Sequence, residues 1–209
     1  ATARVKFIAA FIGLFIVGSV AVYQGTPHVR ERVVNWLHPW TSHAVCCALT
    51  GQKTPRQECA SYQLVQSLYS IGHGGYGGTG LGSGVFTTPQ GHPLIPYLNT
   101  DFIYSAVAQE IGLIGASALL LIYMVFCLRG FRVALAANDG FSKLLAAGLT
   151  FGFALQTFVI VGGILRVIPL TGITLPFVSY GGSSVIANFL VVAGLMLVSH
   201  RANSERGAA

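Results

Sequence analysis

Apolar residues gather along the chain into four runs long enough to cross a bilayer as helices, which takes about 20 residues. The runs cover residues 4–23 (RVKFIAAFIGLFIVGSVAVY), 101–128, 142–168 and 183–200. This pattern predicts an all-α polytopic membrane protein with four transmembrane helices. The first run follows Arg4 and Lys6, as the core of a signal peptide would, but it ends at VYQGTP without a small-residue cleavage pattern and therefore reads as a span. Residues 24–100 form a long intervening segment with its own pattern. In HVRERVVNWLHPW (28–40), Val29, Val33, Trp36, Leu37 and Trp40 recur at helical spacing, read as opposite Arg30 and Arg32. That suits an interfacial helix with tryptophans at headgroup level, or equally a short helix packed on other parts of the protein. SYQLVQSLYSI is too short to span and suits a re-entrant or interfacial helix.

Composition agrees with the pattern. Of the 209 residues, 53% are hydrophobic and only 9% charged, too few charges to cover a water-soluble globule of this size. The net charge of +6 bears on topology rather than on nucleic acid, for which no interleaving of basic and aromatic residues is present. Arg129, Arg132 and Lys143 flank the link between the second and third spans, Arg201 and Arg206 follow the fourth, and residues 169–182 carry no charge. The positive-inside rule places both ends and the 129–142 link in the cytoplasm, and 24–100 and 169–182 outside.

In that outer segment, Cys46, Cys47 and Cys59 are expected to form one disulfide and leave one thiol. A zinc site from His38, His43 and these cysteines can be drawn, but the spacings match no standard pattern. Cys127, within a span, reads as a small apolar filler. Eight glycines lie between 72 and 84, and GHGGYG formally satisfies G-x-G-x-x-G without the strand and helix a dinucleotide site needs. These glycines suit close backbone packing, presentation of N–H groups to a phosphate, or a flexible connector.

Asp101 is the candidate for chemistry. Asn99, Thr100 and Asp101 are all capping types, so Asp101 reads first as a helix cap favoured by the helix dipole. Its place at the outer mouth of the membrane, beside a long structured segment, supports a second, catalytic reading. Glu110, nine residues on in a continuous helix, falls on the opposite face and about 13 Å deeper, which makes it structural or part of a polar network. Gln156 lies near the middle of the third span as a second polar group, and Arg166 near its outer end. In RVIPLTGITLPFVSYGGSS, prolines and glycines break helical geometry at a depth where irregular backbone must line protein or a water-filled cavity.

RVVNWLHPW, SYQLVQSL, NTDFIYSAVAQEIGLIGA and LPFVSYGGSSVIAN, in that order along the chain, resemble the SEDS family of bacterial membrane proteins, which includes RodA, FtsW and SpoVE. VRERVVNWLHP, the GLGSG loop, KLLAAGLTFGFALQTFVIVGGILRVIPLTG and the SHR ending are closer to actinobacterial RodA than to FtsW. The resemblance covers almost the whole chain but corresponds to the last four spans of a ten-span SEDS protein, with the large extracytoplasmic loop between the seventh and eighth spans. It implies either a fragment or a partner half from elsewhere, and a chain that is inactive alone because six spans are absent. IPYLNTDF lacks the acidic or histidine helper that many members carry before Thr-Asp-Phe, and the cysteine insert at 44–60 is unusual.

The resemblance implies a peptidoglycan glycosyltransferase on the outer face of the bacterial cytoplasmic membrane, with lipid II as substrate, undecaprenyl pyrophosphate as leaving group and a class B penicillin-binding protein as partner. Asp101 is then the catalytic base. Arg30, Arg32, Lys53 and Arg166 are candidates for the pyrophosphate, which a divalent cation (Mg or Mn) could assist. Ser179, Tyr180, Gly181 and Gly182 match the family signature and suit a cavity wall better than chemistry. A lipid II flippase and a non-catalytic scaffold are the competing classes. A flippase needs polar groups along a path through the membrane, where Gln156 and Glu110 are nearly alone, and a scaffold has no use for a solitary aspartate at a cavity mouth.

Overall fold

The structure, a computed structural model, describes residues 2–40, 60–87 and 93–207. It is all-helical, with seven helices among the described residues: α1 (Thr2–Gly25), α2 (Pro27–Leu37), α3 (Ala60–Gly74), α4 (Ile103–Glu110), α5 (Gly112–Ala136), α6 (Gly140–Ile164) and α7 (Gly182–Gly207). Three of them, α5, α6 and α7, are long and apolar enough to cross a membrane. A fourth span is counted if α1 and α2, bent by 98° across Thr26, are taken as one pair. Proline at the first turn of α2 explains the bend, since Pro27 starts a helix readily but cannot continue α1. The Cys46, Cys47 and Cys59 disulfide, the zinc ligand His43 and the cation candidate Lys53 fall outside the described residues. His38 ends α2, exposed to solvent.

The three spans form the body. Asp139 caps α6 by accepting the Ser142 N–H at 2.8 Å, and this exposed cap turns the chain sharply between α5 and α6. At Gly130 a Cβ would collide with the Thr150 side chain, so α5 and α6 approach closely through a small residue, as membrane helices commonly do. The core between them is aromatic: Phe153 lies 4.4 Å from Phe126 and 5.8 Å from Tyr123, ring centre to ring centre, and Phe177 continues the chain of rings to Phe189 at 5.3 Å. Cys127 packs against this core as an apolar filler. Leu121, Ile122, Leu144, Phe151, Leu190 and Leu197 point outward, as lipid-facing positions should.

Two expectations about the second apolar run are corrected. The run does not form one helix over 101–128, because Ile111 and Gly112 break it, Gly112 at φ +74°. Nor is Asp101 a helix cap: α4 begins after Phe102, which is fully buried, and no side chain caps it. The nine-residue helical offset between Asp101 and Glu110 therefore does not apply, since Asp101 precedes the helix that Glu110 ends.

The break works because the glycine-rich segment after α3 supplies what it lacks. Thr79 and Gly80 N–H groups donate to the carbonyls of Gln109 and Glu110 at 2.9 and 3.0 Å, while Leu113 and Ile114 N–H groups donate to Gly75 and Tyr76 carbonyls at 2.9 and 3.3 Å. The backbones come this close only because side chains are absent. A Cβ at Gly74 would strike the Ala108 carbonyl, one at Gly78 the Glu110 carbonyl, and one at Gly112 the Gly78 amide. The glycines thus serve close packing, and the amides of Thr79 and Gly80 are already committed to this chain.

Gly78→Ala and Gly112→Ala combine a positive φ with a backbone collision. Each should destabilise the folded chain by more than about 2 kcal/mol in denaturant titrations in detergent. Gly75→Ala, at φ +56° with open space around it, should cost only about 1–2 kcal/mol. Equal losses at all three positions would contradict this packing.

Candidate functional site

The C-terminal end of α6 and the N-terminal end of α7 are joined by an irregular segment, residues 165–181, that folds against the turn carrying Asp101. Ser179 joins the two: its Oγ donates to the Thr100 carbonyl at 2.5 Å and accepts the Leu175 N–H at 2.8 Å. Beside it, the Tyr180 N–H donates to the Asn99 carbonyl at 2.8 Å. Below, Gln156 Nε2 donates to the Thr174 carbonyl at 2.9 Å, Thr174 Oγ1 donates to Ser184 Oγ at 2.7 Å, and the Tyr123 hydroxyl donates to the Pro176 carbonyl at 2.6 Å. The polar residues of this region thus satisfy broken backbone and fix the segment in place. Gln156 holds a carbonyl of this segment.

From the other side comes α2. Arg32 Nη1 donates to the Thr171 and Leu170 carbonyls at 2.8 and 3.2 Å. Trp36 and Arg166 exchange two bonds, Trp36 Nε1 to the Arg166 carbonyl at 2.9 Å and Arg166 Nη2 to the Trp36 carbonyl at 3.0 Å. Arg32 and Trp36 are four residues apart and share a face, so the reading that set Trp36 opposite Arg32 is corrected, and α2 packs on protein through that shared face. Arg166 takes φ +61° to make this junction.

These contacts enclose a cavity of about 110 Å³, lined by Arg32, Asn35, Trp36, Gln63, Leu64, Asp101, Leu170 and Gly172. The Asp101 carboxylate faces Gly172, where a Cβ would sit 3.4 Å from Oδ2. Burial pushes the Asp101 carboxyl above its ordinary value, opposed by a hydrogen bond from Thr100 and by the positive charge of Arg32. Among the described residues Asp101 is the one carboxylate in the lining, and no three His, Cys, Asp or Glu side chains cluster. The described residues therefore supply no cage for a divalent cation.

Of the cation candidates, Arg32 enters the cavity, Arg166 adjoins it through Trp36, and Arg30 is exposed and outside the lining. Tyr180, Gly181 and Gly182 line a separate open groove of about 510 Å³ with Asn99, Ile103 and Ser179. Tyr180 is 80% exposed there. Glu110 contributes its carbonyl to the helix break, away from Asp101. Asn35 and Gln63 escaped the sequence reading, whereas Gly172 was read as a helix breaker in the segment expected to line the cavity of Asp101. Asn35 was legible, three residues after Arg32 and on the same helical face, but Gln63 reaches the cavity only through tertiary packing.

The family model that describes FtsW, RodA and SpoVE as a cell cycle protein family matches residues 1–204. The chain belongs to this family. It is 42% identical over 202 residues to the peptidoglycan glycosyltransferase RodA of Mycobacterium tuberculosis, covering 97% of this chain and 39% of that one. Stage V sporulation protein E of Bacillus subtilis is 35% identical over 190 residues, covering 90% of this chain and 47% of the relative. Among solved structures, a chain from work on structural coordination of polymerization and crosslinking by a peptidoglycan synthase complex superposes with a TM-score of 0.68 at 27% identity. That match covers 94% of this chain and 49% of the other. The chain thus spans less than half the length of these relatives. FtsW/RodA/SpoVE membership and the apolar helices make it a multi-pass membrane protein.

Two outcomes test the site's geometry. Ser179→Ala leaves the Leu175 N–H without its partner and should cost about 1–3 kcal/mol in unfolding measurements, whereas Tyr180→Ala, exposed and bonded through its backbone, should cost under about 0.5 kcal/mol. By carboxyl NMR titration, Asp101 should protonate above the ordinary carboxylate range. Arg32→Gln, which removes a charge that lowers the value, should raise it further. A fall in Arg32→Gln would show that the two groups do not interact.

Proposed function

We propose that Asp101 is the general base of a glycosyltransferase that polymerises a lipid-linked disaccharide, lipid II, into glycan strands at the outer face of the bacterial cytoplasmic membrane. The observation that carries the reading is a partly desolvated carboxylate, the one carboxylate among the described lining residues of a small polar cavity, on a turn held by Ser179 and Tyr180. The names of the relatives supply the substrate class.

The reaction asks little of the protein beyond a base and a frame. The 4-hydroxyl of the acceptor sugar attacks the anomeric carbon of the donor, its proton passes to the Asp101 carboxylate, and the bond to undecaprenyl pyrophosphate breaks with inversion. A base in this role contributes typically about 10²–10⁴ in rate. Partial burial makes the Asp101 carboxylate a stronger base than a solvated one. The cavity is smaller than the roughly 300–1,000 Å³ of whole-ligand sites, so it receives one edge of the acceptor, the edge bearing the reacting hydroxyl. Arg32 holds the 170–171 carbonyls and presents positive charge near the site of bond breaking, where pyrophosphate charge develops. Arg166 supports the same wall through Trp36. A divalent cation, if one takes part, would supply positive charge to the leaving pyrophosphate, held largely by substrate and water oxygens, since the described residues offer no cluster of three ligating side chains. A class B penicillin-binding protein is the partner this reading implies, because crosslinking must follow polymerisation. A scaffold or a flippase leaves the position of Asp101 without a purpose.

The deciding experiment uses this chain completed to the length of its relatives by joining it to the N-terminal part of the 42% identical RodA. Asp101→Asn keeps size and removes the proton acceptor, so strand synthesis from lipid II should fall at least about a hundredfold while membrane insertion is unchanged. In the parent, the acid limb of the rate profile should lie above the ordinary carboxylate range and move to higher pH in Arg32→Gln, because the base works only when deprotonated. Synthesis by Asp101→Asn within a few-fold of the parent would return the residue to a structural role.

A further inference from the structure

The Asp101 cavity is lined by one polar side chain that the proposed chemistry does not use. Asn35 is 8% exposed and lies within α2 rather than at either cap. Asparagine suits a helix interior poorly, because its amide competes with the backbone for hydrogen bonds. In such a place it ordinarily points to solvent or bonds back to a carbonyl one turn earlier. Asn35 does neither: it is buried, and its amide makes no hydrogen bond among the described residues.

Every other polar side chain of the described lining is engaged. Arg32 donates to the Leu170 and Thr171 carbonyls, Trp36 donates to the Arg166 carbonyl, Gln63 has a partner, and Asp101 accepts from Thr100. Nor is the Asn35 amide sealed into the packing. The side-chain atoms that are both sealed and unpaired among the described residues are Gln109 Oε1 and Arg166 Nε, and Asn35 contributes none. Its polar atoms therefore keep surface, and the space they border is the cavity shared with Asp101. Buried amides are ordinarily paired, so an amide left unpaired on a cavity wall beside a reactive carboxylate points to a ligand group that completes it.

The size of the cavity limits what that group can be. At roughly 30 Å³ for each water-sized group, about 110 Å³ holds three or four of them. The hydroxyl that reacts at Asp101 takes one place and its ring carbon another, which leaves room for the hydroxyl on the next ring carbon. A hydroxyl also matches the chemistry, since Asn35 is uncharged and its amide offers a donor and an acceptor.

We propose that Asn35 is a specificity-determining residue whose amide hydrogen-bonds the acceptor hydroxyl adjacent to the one that attacks, the 3-hydroxyl where the 4-hydroxyl reacts. The identity of the sugar rests on the proposed polymerase reading, while the unpaired amide on the Asp101 cavity does not. Asn35 acts through hydrogen bonding alone, Nδ2 donating to the oxygen of that hydroxyl. Holding it fixes the ring and turns the attacking oxygen toward Asp101.

The test uses the same completed chain with lipid II and two analogues, one lacking the 3-hydroxyl and one the 6-hydroxyl of its N-acetylglucosamine. In the parent, loss of the 3-hydroxyl should lower kcat/KM about tenfold and loss of the 6-hydroxyl less than about threefold. Asn35→Leu keeps the size and removes the amide. It should lower kcat/KM for lipid II about tenfold yet treat lipid II and the 3-deoxy analogue within about twofold of each other, because the contact is already gone. A variant that loses activity on both substrates equally, keeping the parent's preference, overturns the proposal. Asn35→Asp sets a second negative charge in the cavity, so in carboxyl NMR titrations the cavity should take up its first proton at higher pH than Asp101 does in the parent. An unmoved titration would show that the two side chains do not share this space, and would overturn the proposal as well. Synthesis by Asp101→Asn near the parental rate would instead sink the base. A 3-hydroxyl preference that disappears with Asn35→Leu in that background would leave Asn35 standing.

Discussion

The fold depends on one rule: inside a bilayer no backbone polar group can go unpaired, because no water is there to pair it. This chain breaks regular helix twice near one end of its spans and satisfies the broken backbone differently each time. At Ile111–Gly112 the partner is another backbone, brought within reach by glycines. At residues 165–181 the partners are largely side chains: Ser179, Gln156, Tyr123 and Arg32 each reach a main-chain group of that segment. The polar residues at this end of the membrane protein are mostly spent on holding backbone.

That expenditure isolates Asp101. Its neighbours Thr100 and Asn99 give their carbonyls to Ser179 and Tyr180, so the turn is clamped before α4 begins. The carboxylate is left facing a small cavity rather than a capping position. Partial desolvation of a group that has no capping duty is an arrangement typical of sites where chemistry is done, since a structural carboxylate would be better paired.

The sequence made much of this legible and hid the rest for identifiable reasons. Hydropathy located the spans because an apolar run of 20 or so residues has few other uses. It could not show that the run from 101 is split, because Ile111 and Gly112 are compatible with a continuous apolar helix and the partner that permits the break lies some 30 residues earlier. The glycine-rich segment was read as close packing among other options, and only the contacts of Gly74, Gly78 and Gly112 choose between them. Asp101 stood out as a charge at an apolar boundary, yet the capping rule that competed for it fails here because buried Phe102, not Asp101, precedes the helix. Trp36 and Arg32 were assigned to opposite faces although a four-residue spacing unites them.

Gly172 carries a consequence for genetics. Any residue with a side chain at that position would place its first carbon against the Asp101 carboxylate, and the left-handed backbone there, at φ +73°, already disfavours such residues. Loss-of-function alleles recovered at position 172 would therefore mimic alleles of the aspartate itself without altering any reactive atom. A mutational map of this protein would show an intolerant glycine beside the aspartate, and the main cause would be its left-handed backbone, with any longer side chain crowding the carboxylate as well.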